Sequence, residues 1–146
     1  MTYAQERIAD VWDEAWLLMQ AHAREAAIHE IPFQPGRSVY ERMEKAGATR
    51  LFTARSAGVL IGYAVFVLSF HPHYVGEKVA TQDVVYVEQS HRGFGAAKFL
   101  AWAEGQLKAE GAGAVIWSVR VGSVDFGRTL KRMGYEPSHT AYFKRL

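Results

Sequence analysis

The stretch Val85-Tyr86-Val87-Glu88-Gln89-Ser90-His91-Arg92-Gly93-Phe94-Gly95-Ala96-Ala97-Lys98 joins a β-branched, aromatic run to the start of an amphipathic segment. Val84 to Val87 reads as the end of a buried strand. From Ala96 to Lys108, Phe99, Leu100, Ala103 and Leu107 recur at helical steps, and Gly111 and Gly113 end the helix. Small residues therefore gather at a helix N-terminus, where the first amides lack internal partners and the dipole is positive. Gly93, Gly95, Ala96 and Ala97 keep side chains away from that backbone, so phosphate oxygens can approach it, with Arg92 and Lys98 as cations beside it.

Spacing separates three phosphate-binding motifs. The dinucleotide pattern needs a third small residue and a βαβ unit with a spaced acidic residue, which this stretch lacks. The nucleotide P-loop ends in Lys-Ser/Thr, whereas Lys98 is followed by Phe99. The pattern R/Q-x-x-G-x-G/A is met at each specified position by Arg92-Gly93-Phe94-Gly95-Ala96-Ala97.

Working outward, Ile8, Val11, Trp12, Ala15, Leu18 and Met19 line one face of a first helix, Ile8 to His22. The loop His29 to Arg37 contains Pro32 and Pro35-Gly36, and a short helix follows with Ser38 and Glu41 as a capping box and Gly47 at its end. Arg50–Arg55 and Val59–Leu68 flank the turn Ser56-Ala57-Gly58 as an antiparallel hairpin. Val79–Glu88 is a further strand, as is Ala114–Val119. Ser123 caps a helix through Met133, Gly134 breaks it, and Thr140–Lys144 is expected to be a last strand.

The 146 residues are expected to form one domain, 1–146, and a hydrophobic fraction of 49% with 22% charged residues supports a packed core. The absence of cysteine excludes disulfides, thiolate metal sites and a cysteine nucleophile. Lys+Arg 17 against Asp+Glu 15 leaves a formal charge of +2, too balanced for a nucleic-acid-coating surface, even with Arg128, Lys131 and Arg132 on one segment. The N-terminus lacks a basic leader with an apolar core, and the apolar run Ala57–Phe70 is shorter than the ~18 residues of a membrane span. A cytoplasmic protein without membrane or nucleic-acid partner is therefore expected. His71-Pro72-His73 with His91 suggests a metal, but two histidines without a firm third oxygen or nitrogen ligand make a poor site, so no metal is expected.

With its flanking order of elements, the Arg92–Ala97 motif resembles the GNAT superfamily of N-acetyltransferases. Val85-Tyr86-Val87 upstream and the late helix ending in Gly134-Tyr135 extend the resemblance, which covers Thr49 to Leu146 well and the N-terminal helices loosely. The family's usual first strand has little room before Ile8. The resemblance implies an α/β (mixed α+β) fold: a central mixed, mostly antiparallel sheet flanked by about four helices. It implies acetyl-CoA as acyl donor, its pantetheine arm paired with main-chain groups of Val85 and Val87, on either side of Tyr86. Amides from Phe94 to Lys98, next to Arg92 and Gly93, would hold the pyrophosphate. The loop His29 to Arg37 would stand beside the acceptor cleft. A homodimer is left open.

Acetylating an amine requires removing a proton, since an ammonium has no lone pair. Asp83 stands where some relatives carry a catalytic glutamate, and simple alternation puts it, with Thr81, on the face of Val85 and Val87. A solvated strand-end carboxylate, or a base acting through water, are alternatives. The family's thiolate-protonating tyrosine corresponds to Leu130, with Ser118, Ser123, Tyr86 and Tyr135 as substitutes. The reading is direct acetyl transfer to a primary amine in a ternary complex. The alternative is a catalytically silent acyl-CoA-binding module.

Overall fold

The computed structural model describes residues 1–26, 31–120 and 123–144. Among these residues five strands form one sheet in the order β1 (Thr2–Glu6), β2 (Thr49–Ser56), β3 (Val59–Phe70), β4 (Lys78–Val87) and β5 (Ala114–Ile116). The first four pair antiparallel, and β5 runs parallel to β4. Among the described residues the mixed, mostly antiparallel sheet carries four α-helices, as the resemblance implied: α1 (Ile8–Ala26), α2 (Arg37–Lys45), α3 (Phe94–Ala109) and α4 (Val124–Arg132).

Each sheet face has its own core. On one, Ile8, Val11, Trp12, Ala15 and Leu18 of α1 pack on Leu51, Leu60, Tyr63, Val65 and Tyr86, with Tyr40 of α2 beside them. On the other, Phe99, Leu100, Ala103 and Leu107 of α3 pack on Phe52, Ala64, Phe66, Ala80 and Val87, with Phe126 and Met133 of the α4 region. Burying a side chain such as the fully enclosed Phe99 contributes ~1.5–3 kcal/mol. Both faces are covered, which is why β3 and the end of β4 read as continuous apolar runs rather than alternating ones.

Several expectations are corrected. A first strand does form: Thr2–Glu6 pairs with Leu51–Arg55, and Tyr3 donates its hydroxyl to the Gly95 carbonyl at 3.2 Å. Five residues suffice because the chain turns directly into α1, whose first amide, that of Ile8, is capped by Glu44 of α2 at 3.0 Å. α2 starts at Arg37 with Gly36 as N-cap, so Ser38 lies inside the helix and makes no cap. Glu41 instead accepts from Arg37 at 2.8 Å. β5 stops at Ile116, since Trp117 turns edge-on to Phe66 (5.0 Å between centroids) and Phe126. Thr140–Lys144 forms no strand, and Tyr142 and Phe143 are exposed. A three-residue β5 leaves too short an edge for strand-like composition to exploit.

Candidate active site

Strand β4 is bonded on both sides only over its first part. Its pairing with β5 spans Val79↔Ala114 to Thr81↔Ile116, and one further link follows, from the Ser118 N–H to Gln82 Oε1 at 2.9 Å. Beyond that the strands separate, while pairing with β3 continues to Val87↔Gly62. The Glu88 N–H donates to the Ile61 carbonyl at 2.9 Å, so Val87 and Gly62 form a non-bonded pair, as do Val85 and Ala64. The main-chain groups of Val85 and Val87 therefore point away from β3 into the opening.

The register between β3 and β4 slips at one place: Val65 faces Val84, but Phe66 faces Gln82. Asp83 is the extra residue of a β-bulge, a device that re-aims side chains. It overturns the expected alternation. Val85 and Val87 pack on the α3 face, whereas Asp83 swings to the α1/α2 face, where the Tyr40 hydroxyl donates to Asp83 Oδ2 at 2.6 Å. Thr81, opposite Val67, stays on that face with it.

There Asp83 borders a cavity of about 370 Å³, whose walls include Trp12, Met19, His22, Phe33, Tyr40 and Tyr63. The His22 Nδ1 lies 2.9 Å from the Tyr63 hydroxyl, and its ring stacks on Tyr86 with centroids 5.2 Å apart. Burial pushes the His22 imidazole below its ordinary value, with nearby Arg92 in the same direction and Glu25 opposing, so it is neutral at pH 7. Burial likewise raises the Tyr40 and Tyr63 phenols, and the Asp83 carboxylate adds to both, keeping them protonated donors. Of the loop His29 to Arg37, His29 and Glu30 lie outside the described residues, while Phe33 and Pro35 line the cavity.

At the start of α3, the N-cap Gly93 has φ 83° and ψ −130°, a conformation open to glycine alone. The first bond of the helix runs from the Ala97 N–H to the Gly93 carbonyl at 3.0 Å. The Phe94, Gly95 and Ala96 amides thus have no acceptor among the described residues, whereas those of Ala97 and Lys98, expected in the same role, are used by the helix. Arg92 is not aimed at this end either. Its Nε donates to the Val87 carbonyl at 2.8 Å, its guanidinium pairs with Glu25 at 2.7 Å, and it lies over the Tyr86 ring at 5.5 Å. Lys98 sits 4.5 Å from the Phe94 ring centroid. Arg92 thus ties α1 to the end of β4 and occupies one of the carbonyls the sequence reading assigned to a ligand.

The candidates for a proton donor fall away from this centre. Leu130 is buried in packing. Tyr135 donates to Glu104 at 2.8 Å, and burial together with that carboxylate pushes its phenol up to about 12. Ser123 is the N-cap of α4, exposed and without a capping bond. Tyr86 is buried on the α1 side. Ser118 alone borders the opening, through its amide on Gln82. Sequence reading missed His22, Tyr40 and Tyr63. His22 carries a usable signal, standing four residues after Leu18 and seven after Ala15 on the apolar stripe of α1.

A parted β4 edge leading to unpaired helix amides is matched by the comparison with family models: residues 9–135 match the acetyltransferase (GNAT) family. The chain belongs to that family. It is an acetyltransferase by family, with acetyl-CoA as the family's donor, and the residues at the opening suit that donor: an unpaired strand edge for an amide-bearing arm and three unpaired helix amides for phosphate. A ribosomal-protein-alanine N-acetyltransferase from Brucella melitensis biovar Abortus 2308 is similar over 100% of both chains, at 19% identity and TM-score 0.75. An aminoglycoside acetyltransferase from an uncultured soil metagenomic sample aligns over 99% of this chain and 97% of its own, at 14% identity and TM-score 0.77. An aminoglycoside N-acetyltransferase solved with CoA aligns over 99% and 98%, at 16% identity and TM-score 0.72. At these identities the likeness is one of fold. Curated proteins give no significant sequence match. No described helix is long and apolar enough to cross a membrane.

Proposed function

We propose that this acetyltransferase moves an acetyl group directly from acetyl-CoA to a primary amine held in the α1/α2-side cavity, with Asp83 as the base. The observation that carries the reading is the second half of β4. Its bulge delivers one carboxylate to the cavity while its free edge, two residues on, presents main-chain groups to the opening. The donor supplies an acetyl thioester as the electrophile. The Val85 main chain and the Val87 N–H hold the pantetheine arm, and the Phe94, Gly95 and Ala96 amides bind pyrophosphate. Arg92 and Lys98 set the shape and charge around them rather than forming the phosphate seat.

The ammonium must lose a proton before nitrogen can form the new bond to the acetyl carbon. Tyr40 orients Asp83 through Oδ2, leaving Oδ1 to take that proton. As the C–N bond forms the C–S bond breaks, the electron pair leaves on sulfur, and the second proton that nitrogen sheds in becoming an amide passes to the released thiolate or to solvent. A thiol with a pKa near ~8.5 departs without obligatory protonation, which accommodates Leu130 in place of a phenol. With no cysteine in the chain, a cysteinyl acetyl-enzyme is excluded.

Single-turnover transfer to an amine panel, with calorimetry for CoA, tests the reading. Asp83→Asn is expected to lower turnover by ~10²–10⁴-fold with CoA affinity near wild type. Full activity in that variant across pH would remove Asp83 from the role. CoA binding without transfer to any amine would favour the silent module.

A further inference from the structure

The cavity wall narrows the acceptor class, and this step rests on the transfer reading above. Among the described lining residues Asp83 is the single carboxylate, and no described lysine or arginine joins it. The remaining wall is apolar or aromatic: Trp12 and Tyr40 lie 6.1 Å apart at 48°, Tyr63 stands beside them, and Phe33, itself against Trp16 at 6.0 Å, closes the loop side. The neutral His22 adds an uncharged polar group. One carboxylate beside π-faces accommodates one ammonium, by ion pairing and cation–π attraction. It leaves the further ammoniums of a polycation without a second carboxylate among the described wall residues. At about 370 Å³ the space is near the lower end of small-molecule pockets, ~300–1,000 Å³.

We infer that the acceptor is a primary monoamine with an aryl or other apolar body, its ammonium at Asp83 and its body against Trp12, Phe33 and Tyr40. The aromatic walls supply offset or edge contacts to a ring, and the helices α1 and α2 on one side and the sheet on the other flank it.

The test uses the full chain with saturating acetyl-CoA, following CoA thiol release with 2-phenylethylamine, tryptamine, ethylamine, kanamycin and an alanine-initiated hexapeptide, with separate calorimetry for CoA. The inference expects kcat/KM for the two aryl amines to exceed that for kanamycin and the peptide by at least ~100-fold, about 2.7 kcal/mol. Phe33→Ala, a half-exposed position, is expected to raise KM for 2-phenylethylamine ~2- to 10-fold, to leave ethylamine KM unmoved and to keep CoA affinity. CoA binding with kanamycin or the peptide as the better acceptor, or with no amine acetylated, overturns the inference. Transfer to the polycation or peptide would leave the transfer reading standing. Failure to bind CoA overturns both.

Discussion

Strand β4 contains two unlike halves. Lys78–Thr81 is flanked by β3 and β5, and Val79 and Ala80 are buried there. Gln82–Val87 has β3 alone, holds the bulge, and faces an opening on its other edge. An unpaired strand edge invites adventitious pairing. Here it is shielded by Arg92 on the Val87 carbonyl and by Gln82 on Ser118. The first half is scaffold, and the second keeps its hydrogen-bonding capacity available for a ligand.

Proline substitution breaks this comparison most severely. Leu68, opposite Ala80, gives its N–H to Ala48, so the main-chain groups of Ala80 face β5, and Ala80→Pro removes a ladder bond to β5 inside the core and is expected to abolish the cooperative unfolding transition. The Val85 N–H faces the opening, so Val85→Pro is expected to keep a cooperative transition and to weaken CoA binding ~2- to 10-fold, the worth of one net hydrogen bond. Equal loss of structure in both, by circular dichroism melts, would show that the second half is not a free edge. The Asp83→Asn effect of ~10²–10⁴-fold on turnover comes next in size and belongs to the second half alone.

The elements legible in the sequence are those with a period. α1 and α3 show apolar residues at helical steps, and β2 and β3 show strand composition around Gly58, whose φ of 84° the turn requires. The Gly93 to Lys98 motif marked the helix N-terminus correctly, because small residues leave amides accessible. The bulge was not legible. Val84-Val85-Tyr86-Val87 is apolar throughout because helices cover both faces, so no alternation exists whose break would reveal the extra residue. Thr140–Lys144 misled for a related reason: composition reports fitness for a pleated surface, and pairing needs an edge. The side-chain partners of Arg92 come from elements 67 residues away and five residues back, a juxtaposition only the fold creates.

Two substitutions of comparable size sharpen the contrast between the strand interface and the surrounding helices. A Cβ on Gly62 would lie 2.9 Å from the Tyr86 carbonyl oxygen and 3.0 Å from Val87 Cγ2, backbone and packed side chain that cannot easily give. Gly62→Ala is therefore expected to destabilise the chain by ~1–3 kcal/mol, whereas Gly105→Ala in α3, with open space around it, is expected to stabilise by ~0.5–1 kcal/mol. Denaturant melts giving the same sign for both would contradict the contact geometry. Leu130→Tyr probes the opposite side of the sheet from the cavity. With Leu130 5% exposed, the added ring overpacks the site by ~1–3 kcal/mol rather than placing a phenol at the sulfur. A faster single-turnover rate with unchanged melting would reverse that conclusion.

The smallest expected effect concerns pH, and it reads the packing of α1 against the second half of β4. His22 is held there by Tyr63 and Tyr86, and burial keeps its imidazole below the ordinary value. An unfolded chain carries this histidine at about pKa 6.5. On acidification through that value the unfolded state takes up the proton first, so it binds more protons than the fold and stability falls with falling pH. Above about pH 6.5 both states hold the neutral ring, and the contribution is fully present. It is lost as pH drops toward the lower folded value, a window above the one in which Asp10 and Glu14, held below the usual carboxylate range by Arg7 and Arg55, begin to matter. Melting wild type and His22→Gln between pH 7.5 and 5.5 checks this: wild type should lose stability across the lower part of the range, and the variant should follow a shallower course. Parallel profiles would mean that the ring is solvated enough to titrate normally, and the α1 wall beside Tyr86 would then be looser than its 5.2 Å stacking implies.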